Sequence, residues 1–403
     1  MENSCFTRSS WKLWTAVPNR TRSRALWFTL YVCDMTDSLF LDGGDSADFY
    51  PLNALKGAQH LHFGVRSIAK QWKDLLSSKP DVRVHSQVLP TEHAASIVLG
   101  LKNGQAWKDK GLVVAQCGDI IRSIHEAPVA KDWLVDAASL FEKCGEGLAA
   151  DLPRLKLSWR LRSLDEEERG AWAQRGVVVH GPMDLIHLGP GALLRDVSLN
   201  TEEGDILLGP GAEIMEGSRV RGPFALGENS QLRMGTLVYG PASVGQGCKV
   251  GGEISNVVVH DWSNKAHGGF LGNAVIGEWC NLGAETTCSN LKNTYGEIAE
   301  WDEGRQGFHA KGRQFCGLIM GDHSKTAIHT AFPTATVVGS MAQVFGPGAP
   351  PRHVPPFSWG HEGNEVLGLE KALSTARKVM ARRKQTLTPD QERAIRQLHK
   401  ERT

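Results

Sequence analysis

The chain has 403 residues, of which 41% are hydrophobic and 22% are charged, and its formal net charge is +1. This composition is typical of a globular protein, and the small net charge gives no overall attraction to nucleic acid or to an anionic membrane surface. Eight cysteines occur without a CxxC pair, at positions 5, 33, 117, 144, 248, 280, 288 and 316. Their spacing argues against a zinc site or a disulfide framework and favours reduced thiols in the cytoplasm. No apolar run reaches the roughly 18 residues that a membrane span needs, so we expect no membrane contact.

Residues 1–24 form a basic extension. It contains one acid, Glu2, and five bases: Arg8, Lys12, Arg20, Arg22 and Arg24. We expect this extension to be disordered, and a transit peptide or a membrane-touching arm is the alternative.

Residues 25–160 predict an α/β domain. Strands are predicted at Ala25–Cys33, Val82–Val84 and Gly111–Cys117, and helices at Gly64–Ser77, Glu92–Lys102 and Lys131–Lys143. Because strands alternate with helices, we expect an α/β layer with a parallel sheet.

From about Val177 short strands and glycines dominate, and a strict period of six appears. Aliphatic residues recur at Leu208, Ile214, Val220, Leu226, Leu232, Val238, Val244 and Val250. Neither a helix nor a plain strand has this period, whereas a parallel β-helix of hexapeptide repeats does. We therefore expect a β-helix over residues 177–356, interrupted by a projecting loop at about 291–314. A β-sandwich is the alternative, although its strands are usually spaced less evenly.

Residues 363–403 predict two basic helices, at Glu365–Arg383 and Pro389–Lys400. The second has Thr388 as N-cap and Pro389 at the first helical position. We expect these helices to cap the open end of the β-helix. Nucleic-acid binding is the alternative for a basic helix face, but we predict no nucleic-acid partner.

One stretch breaks the six-residue period and carries chemically useful side chains. It reads SNKAHGGFLGN over Ser263–Asn273, and it is followed by NLGA from Asn281 and CSN from Cys288. These residues resemble the acetyltransferase half of the bacterial bifunctional UDP-N-acetylglucosamine pyrophosphorylase/glucosamine-1-phosphate N-acetyltransferase family, whose motif is K-A-x-H-L-x-Y-L-G-D-A-x-I-G followed by N-I-G-A-G-T. A divergent branch of sugar nucleotidyltransferases in that family is more similar still, over Gly211 to Pro356.

The resemblance implies a left-handed β-helix that forms a homotrimer, and acyl transfer from acetyl-CoA to the amine of a sugar phosphate. It makes His267 the general base, since a neutral imidazole can accept a proton near neutral pH. Asn281 and Asn290 fall on positions that contact substrate. Arg233 corresponds to the phosphate-binding arginine, with Arg219, Arg221 and Lys292 as further candidates.

Some of the substrate positions depart from the family pattern. Lys265 matches the motif lysine but lies one residue closer to His267 than in the family, and Phe270 replaces a tyrosine. Glu285 replaces a glycine near the acyl site and adds negative charge there.

The N-terminal third resembles a reduced nucleotidyltransferase domain. Gly43, Gly44 and Lys56 occur in the order of that family's glycine-rich loop and lysine, which would cradle nucleotide phosphates. The family's G-x-G-T-R is absent. If this domain is active it requires Mg²⁺, for which Asp34 and Asp45 are candidate ligands; we predict no other metal site. Two alternatives remain open: a sugar-1-phosphate nucleotidyltransferase whose β-helix serves assembly, and a non-catalytic sugar-nucleotide-binding scaffold.

Overall fold

The structure is a computed structural model that describes residues 39–41, 46–109, 111–127 and 129–403. The predicted extension over 1–24, the predicted strand Ala25–Cys33, and Gly43 with Gly44 lie outside these residues.

Among the described residues, the N-terminal layer combines four α-helices with a two-stranded sheet and a small four-stranded mixed sheet. Its helices are α1 Ile68–Leu75, α2 Glu92–Leu99, α3 Ser139–Glu142 and α4 Cys144–Ser158. Its strands are β1 His62–Phe63, β2 Arg66–Ser67, β3 Val82–Val84, β4 Gln105–Asp109, β5 Leu112–Cys117 and β6 Ser123–Glu126. Two predicted helices are therefore present with shorter bounds, at α1 and α2.

The prediction of a parallel sheet was wrong. The strand order is β3-β5-β4-β6, and only the β4–β6 pair is parallel. Strands β4 and β5 are joined by a two-residue connection that contains Gly111, whose φ is +85°. A connection this short permits only a hairpin, so the two strands must run antiparallel.

The prediction of a helix over Lys131–Lys143 was also wrong for most of its length. Trp133 bridges Val88 in antiparallel fashion, and the amide of Leu89 donates to the carbonyl of Asp132. Because this backbone is paired with residues 87–89, only Ser139–Glu142 remains α-helical, and a longer helix, α4, begins at Cys144.

The second half of the chain is a parallel β-helix, entered through β7 Arg162–Ser163 and α5 Arg169–Ala173. Its further strands are β8 Val177–His180, β9 Ile186–Leu188, β10 Leu193–Leu194, β11 Val197–Asn200, β12 Ile206–Leu208, β13 Glu213–Ile214, β14 Arg219–Arg221, β15 Phe224–Leu226, β16 Gln231–Leu232, β17 Leu237–Val244, β18 Lys249–Val250, β19 Glu253–Val259, β20 Asn264–Lys265, β21 Phe270–Ile276, β22 Thr287–Cys288, β23 Ala299–Asp302, β24 Gly307–Ala310, β25 Leu318–Met320, β26 Lys325–Thr326, β27 Ala331–Phe332, β28 Thr336–Val338, β29 Gln343–Val344, β30 His353–Val354, β31 Ser358–Trp359 and β32 Glu365–Val366.

Three faces make up each coil. Face one contains β9, β12, β15, the second halves of β17, β19 and β21, then β25, β28 and β30. Face two contains β10, β13, β16, β18, β20, β26, β29 and β31. Face three contains β8, β11, β14, the first halves of β17, β19 and β21, then β22 and β27.

The strand register coincides with the six-residue spacing of the sequence. Leu208 pairs with Leu226 and Leu226 with Val244, so partners lie eighteen residues apart, as do Ile214 and Leu232 on face two. The eight aliphatic positions named above are all buried, with at most 3% exposure. Three six-residue units per coil therefore place one aliphatic side chain inside each face.

The N-terminal layer covers the outer side of face one. Leu207, Val258 and Val275 point out of the coil and belong to the same apolar cluster as Phe63 and Phe141 of the layer. Face one is buried on both sides, which explains its continuous apolar runs such as VVV at 257–259.

The projecting segment and the C-terminus complete the molecule. Residues 291–314 contain the antiparallel hairpin β23–β24, where the sequence predicted a loop. The last helices are α6 Leu369–Ala381 and α7 Pro389–Arg402, and Thr388 and Gln391 form the capping box of α7. Both helices pack on Met341 and Phe357, at a corner of the last coils. Among the described residues, no helix is long and apolar enough to cross a membrane.

Candidate functional site

His267 lies on the turn between β20 on face two and β21 on face three. The turn runs from Ala266 to Gly269, and the His267 side chain is exposed. Gly269 has a φ of +98° and abuts the Thr286 carbonyl of the next coil, so a side chain there would be both strained and blocked. The two glycines after His267 thus allow the chain to turn the corner closely.

Lys265 fixes this turn from inside the coil. It pairs with Val250 at an inward position that is aliphatic in the preceding coils, and it is only 3% exposed. Its Nζ donates to the carbonyls of Gly251 at 2.8 Å, His267 at 3.0 Å and Gly268 at 3.1 Å. An ammonium has three N–H donors, so all are used within the protein. Lys265 therefore positions the turn, and the structure leaves it no donor for a substrate.

Burial lowers the pKa of Lys265 to about 8, and the nearby Glu285 carboxylate acts in the opposite direction. Glu285 lies on the next coil, where its carboxylate covers Gly268, so a side chain at position 268 would have to displace that carboxylate. Glu285, which replaces a glycine of the family pattern, thus lies directly beside the His267 turn.

A continuous corner, which we call the His267 edge, joins residues of successive coils. A Cβ added at Gly251 would meet the Ala266 carbonyl on one side and the Arg233 side chain on the other, so these three residues are neighbours. Further along, the amide of His329 donates to the carbonyl of Ala284 at 2.7 Å. The edge consists of Arg233, Gly251, Ala266–Gly269, Ala284–Glu285 and Ile328–His329. Arg233 and His267 stand two coils apart on this edge. Since neighbouring strands are about 4.8 Å apart, their backbones lie within about 10 Å of each other.

Phe270, Asn273 and Asn290 form a second group along face three. The Asn290 Nδ2 donates to the Asn273 Oδ1 at 2.7 Å, and both Phe270 and Asn290 press on Gly272. Asn273 has a φ of +45°, which an asparagine tolerates better than most residues. Asn273 stands in the quoted motif, but no feature of the sequence predicted a role for it.

Asn281 is placed elsewhere. It is exposed on face two, where it bridges Asn264 and Lys325, and the Asn264 Oδ1 accepts a hydrogen bond from Arg383 of the C-terminal segment. The structure therefore brings Arg233 and His267 to one edge, places Phe270 and Asn290 together further along the coil, and leaves Asn281 on a different face.

Lys56 lies at the junction between the N-terminal layer and the β-helix. Its Nζ is 2.5 Å from Glu278 Oε1 and 3.3 Å from Asp322 Oδ2. Burial acts to lower the pKa of Lys56, but the Asp322 and Glu278 carboxylates outweigh it and raise the pKa well above its ordinary value. Lys56 is therefore a buried structural cation. Glu278 and Asp322 each follow a corner glycine, and no pattern in the sequence predicted that either pairs with Lys56.

The described residues contain no group of three or more His, Cys, Asp or Glu side chains that could hold a metal ion. Asp34 and Asp45 are outside these residues. Within the same ranges, burial raises the pKa of Cys280 to about 12 and of Cys288 to about 11, so both remain thiols in the coil interior.

Comparisons with known proteins give limited similarity. No family model matches the chain. A bifunctional sugar-1-phosphate nucleotidylyltransferase/acetyltransferase of Sulfurisphaera tokodaii is 29% identical over 97 residues, which are 24% of this chain. The chain spans about a quarter of that relative's length, 23%. A crystal structure of an Arabidopsis UDP-N-acetylglucosamine acyltransferase covers 52% of this chain and 78% of its own, with a TM-score of 0.24 and 14% identity. A superposition at that level carries no argument, so the fold assignment depends on the strand register itself.

Proposed function

We propose that this protein is an acetyl-CoA-dependent N-acetyltransferase acting on an amino-sugar phosphate of the glucosamine-1-phosphate type, in the synthesis of UDP-N-acetylglucosamine or a related nucleotide sugar. The observation that carries the proposal is the exposed His267 imidazole on a turn held by two hydrogen bonds from Lys265, which also binds the Gly251 carbonyl of the preceding coil. A solvent-accessible imidazole on a turn whose backbone is held in place can accept a proton from a bound amine, as a general base must. The transferase named in the similar Sulfurisphaera tokodaii protein supports the same chemistry.

In the proposed reaction the sugar amine attacks the thioester carbonyl carbon of acetyl-CoA. A C–N bond forms, His267 accepts the proton released by the amine, and the C–S bond breaks to release the CoA thiolate, which is then protonated. Arg233, on the same edge, is placed to attract the sugar phosphate. Exposed Met234 and Ile328, at 70% and 66%, give apolar surface along this edge for the acyl donor.

Arg233 lies on the His267 edge, whereas Phe270 and Asn290 lie beyond that edge, along face three. We propose that they contribute to substrate binding in a homotrimer of left-handed β-helices, where face three of one copy meets a neighbouring copy. The cytoplasm is the proposed location, because the buried thiols favour a reducing compartment.

The contacts of Lys56 do not favour the nucleotidyltransferase alternative. An ammonium already held by two carboxylates is unsuited to binding a nucleotide phosphate, so we propose that the N-terminal layer serves as a structural platform. Pyrophosphate release that depends on UTP and Mg²⁺ would contradict this assignment.

The test is release of free thiol from acetyl-CoA in the presence of glucosamine-1-phosphate. His267→Ala should lower kcat by about 10²–10⁴-fold, as expected for loss of a general base. His125→Ala, which removes an exposed histidine from β6 of the N-terminal layer, is the matched control and should retain wild-type turnover. Normal turnover by His267→Ala would overturn the mechanism.

A further inference from the structure

The outer side of face two carries a row of bases and amides. Lys249, Asn264 and Lys325 each precede a buried, inward-pointing residue of their strand, so their side chains point out of the coil. Lys249 pairs directly with Asn264, and Asn281 bridges Asn264 to Lys325. Since neighbouring strands are about 4.8 Å apart, Lys249 and Asn264 lie side by side. This row is on the flat of the face, whereas the His267 edge is its corner with face three.

Arg383, which follows helix α6, lies over the row. Its Nη2 donates to the Asn264 Oδ1 at 3.1 Å. Burial raises the pKa of the thiol of Cys248, the residue before Lys249, and the Arg383 charge acts on that thiol in the opposite direction. The guanidinium is therefore close to the coil of Lys249 as well as to the coil of Asn264.

These side chains present hydrogen-bond donors without a counter-charge. Within the described ranges, no carboxylate forms an ion pair with Lys249, Lys325 or Arg383. The Asn264 Oδ1 is already used by Arg383, so the Nδ2 group of the same amide is a further donor. Lys325 Nζ donates to the carbonyl of His323 at 2.8 Å, and burial lowers the pKa of this lysine. The row thus has several donors to offer and a net positive charge.

Other enclosed bases of the molecule are neutralised. Lys56 is held by Glu278 and Asp322, and Arg313 is paired with Asp136 and with further carboxylates. By contrast, Lys249 and Arg383 are half-buried like charges brought together at one amide, and their mutual repulsion is relieved only by an anion.

A phosphate group matches this set of donors. It offers three acceptor oxygens and about two negative charges near neutral pH. A planar guanidinium can donate to two of the oxygens at once, while a lysine ammonium acts as a compact point charge. An amide N–H group can donate to a remaining lone pair.

We propose that Lys249, Asn264 and Arg383 form a binding site for a phosphate monoester, with Lys325 adding positive potential from two strands away. Arg383 and the Asn264 Nδ2 group donate to the phosphate oxygens, and Lys249 balances the charge. A sugar phosphate and a nucleotide are the two sources of such a group. The proposal does not depend on acetyl transfer at His267 or on phosphate binding by Arg233.

The test is isothermal titration of the intact chain with inorganic phosphate at low ionic strength. Saturable binding is expected, and it should weaken as sodium chloride is added because salt screens the attraction between exposed charges. Glucose-1-phosphate and adenosine 5′-monophosphate are titrated in the same way. Tighter binding of one of them supports the site and identifies the source of the phosphate. Absence of saturable binding for all three would overturn the proposal.

Variants locate the site. Arg383→Gln and Lys249→Gln should each weaken phosphate binding by about tenfold or more, because each removes a charge-assisted hydrogen bond. Lys400→Gln removes the same charge from an exposed position of α7 and is the matched control, which should bind as the wild type does. Unchanged binding in both Arg383→Gln and Lys249→Gln would overturn the assignment.

Asn264→Asp gives a sharper test because it keeps the shape of the side chain. The new carboxylate neutralises Arg383 and Lys249 and takes the place of the anion, so phosphate binding should be lost while the thermal transition stays at or above that of the wild type. Phosphate binding by Asn264→Asp at the wild-type affinity would contradict the proposal.

Arg233→Gln distinguishes this site from the His267 edge. It should retain phosphate binding, since Arg233 is at the corner and not on the row. Loss of binding in Arg233→Gln would assign the phosphate to the His267 edge and overturn the proposal. The thiol-release assay is a separate measurement, so either proposal can fail while the other holds.

Discussion

Lys265 shows how one buried charge can shape a site that it does not itself line. The Lys265 ammonium satisfies three backbone carbonyls around the His267 turn. Lys265→Met keeps most of the apolar volume but leaves those carbonyls without donors. We expect a loss of about 2–4 kcal/mol in the free energy of unfolding.

Urea denaturation measures this loss, and amide hydrogen exchange at residues 266–269 should become faster in the same variant. Lys249→Met is the matched control, because Lys249 is a half-buried lysine on the adjacent strand of face two. Equal stability of the two variants would show that the three hydrogen bonds contribute nothing to the turn.

His323 makes the fold sensitive to acid. It is buried at a corner with a φ of +61°, and its ring stacks on Trp279 with centroids 6.2 Å apart. Burial lowers the pKa of His323 to about 3, and burial likewise lowers that of His353 to about 4. The unfolded chain takes up these protons below about pH 6.5, whereas the native chain does not, so stability falls as the pH drops from about 6.5 towards 3.

At about pH 5 each such histidine should cost about 2 kcal/mol of stability. His323→Asn removes one titrating group and places at the left-handed position a residue that tolerates it. Denaturation at about pH 7 and about pH 5 should therefore show a smaller loss for this variant than for the wild type. The control is His125→Asn, at an exposed position, which should leave the pH dependence of stability unchanged. If His323→Asn lost as much stability between the two pH values as the wild type, the native His323 ring would be protonated.

At the scale of the coil, left-handed residues define the corner between faces one and two. One residue from each coil has a positive φ there, in the column Gly191, Gly211, Asn229, Gly247, Trp262, Trp279, His323, Met341 and Phe357. Trp262 and Trp279 stack with centroids 5.3 Å apart and planes 10° apart. The Trp262 ring of this stack fills the space beside Gly247 of the preceding coil, which has no side chain.

Substitutions at two glycines can distinguish the stability cost of backbone strain from the cost of a steric clash. Gly235 has a φ of +71° and nothing near its missing Cβ, whereas Gly247 has a φ of +65° and faces the Trp262 ring closely. Gly235→Ala should cost about 1 kcal/mol from backbone strain alone. Gly247→Ala should cost about 1–3 kcal/mol more, because the added methyl group displaces the ring.

Chemical denaturation of both variants gives the comparison, and Gly235→Ala is itself the control for strain. Equal losses would show that the packing of Trp262 against Gly247 adds no stability.

The sequence predicted the coil well because its interior repeats. A β-helix buries one side chain from each face per coil, so the period of Leu208, Leu226 and Val244 is also the strand register. The sequence failed at residues 132–134, where a helix was predicted. Their backbone is instead paired with residues 87–89, and no local period reveals such a distant contact. A break in the period marks the stretch that carries His267. No local pattern reveals that Lys265 binds the Gly251 carbonyl of the preceding coil, or that Lys56 of the layer meets two carboxylates of the β-helix.

At the scale of the whole molecule, buried charges join the layer to the coil at two places. Arg313, at the end of the projecting segment, is paired with Asp136 at 2.7 Å and with Glu142 at 2.7 Å in the layer. Lys56 enters from the layer to meet Glu278 and Asp322 of the coil. Because these contacts and the shared apolar cluster on face one join the two parts, we expect the layer and the β-helix to unfold as one cooperative unit.

Lys56→Met should therefore destabilise the entire chain. It leaves the buried Asp322 carboxylate and the half-buried Glu278 carboxylate without their cation, at a cost of about 3–5 kcal/mol, and a single thermal transition should move to lower temperature. Adding Glu278→Gln to Lys56→Met removes one of the uncompensated charges, so the double variant should be more stable than Lys56→Met alone. Lys102→Met, at an exposed position of the layer, is the control and should melt as the wild type does. If Lys56→Met splits the transition in two, with the coil melting at its original temperature, then the layer folds separately and the cation joins two independent units.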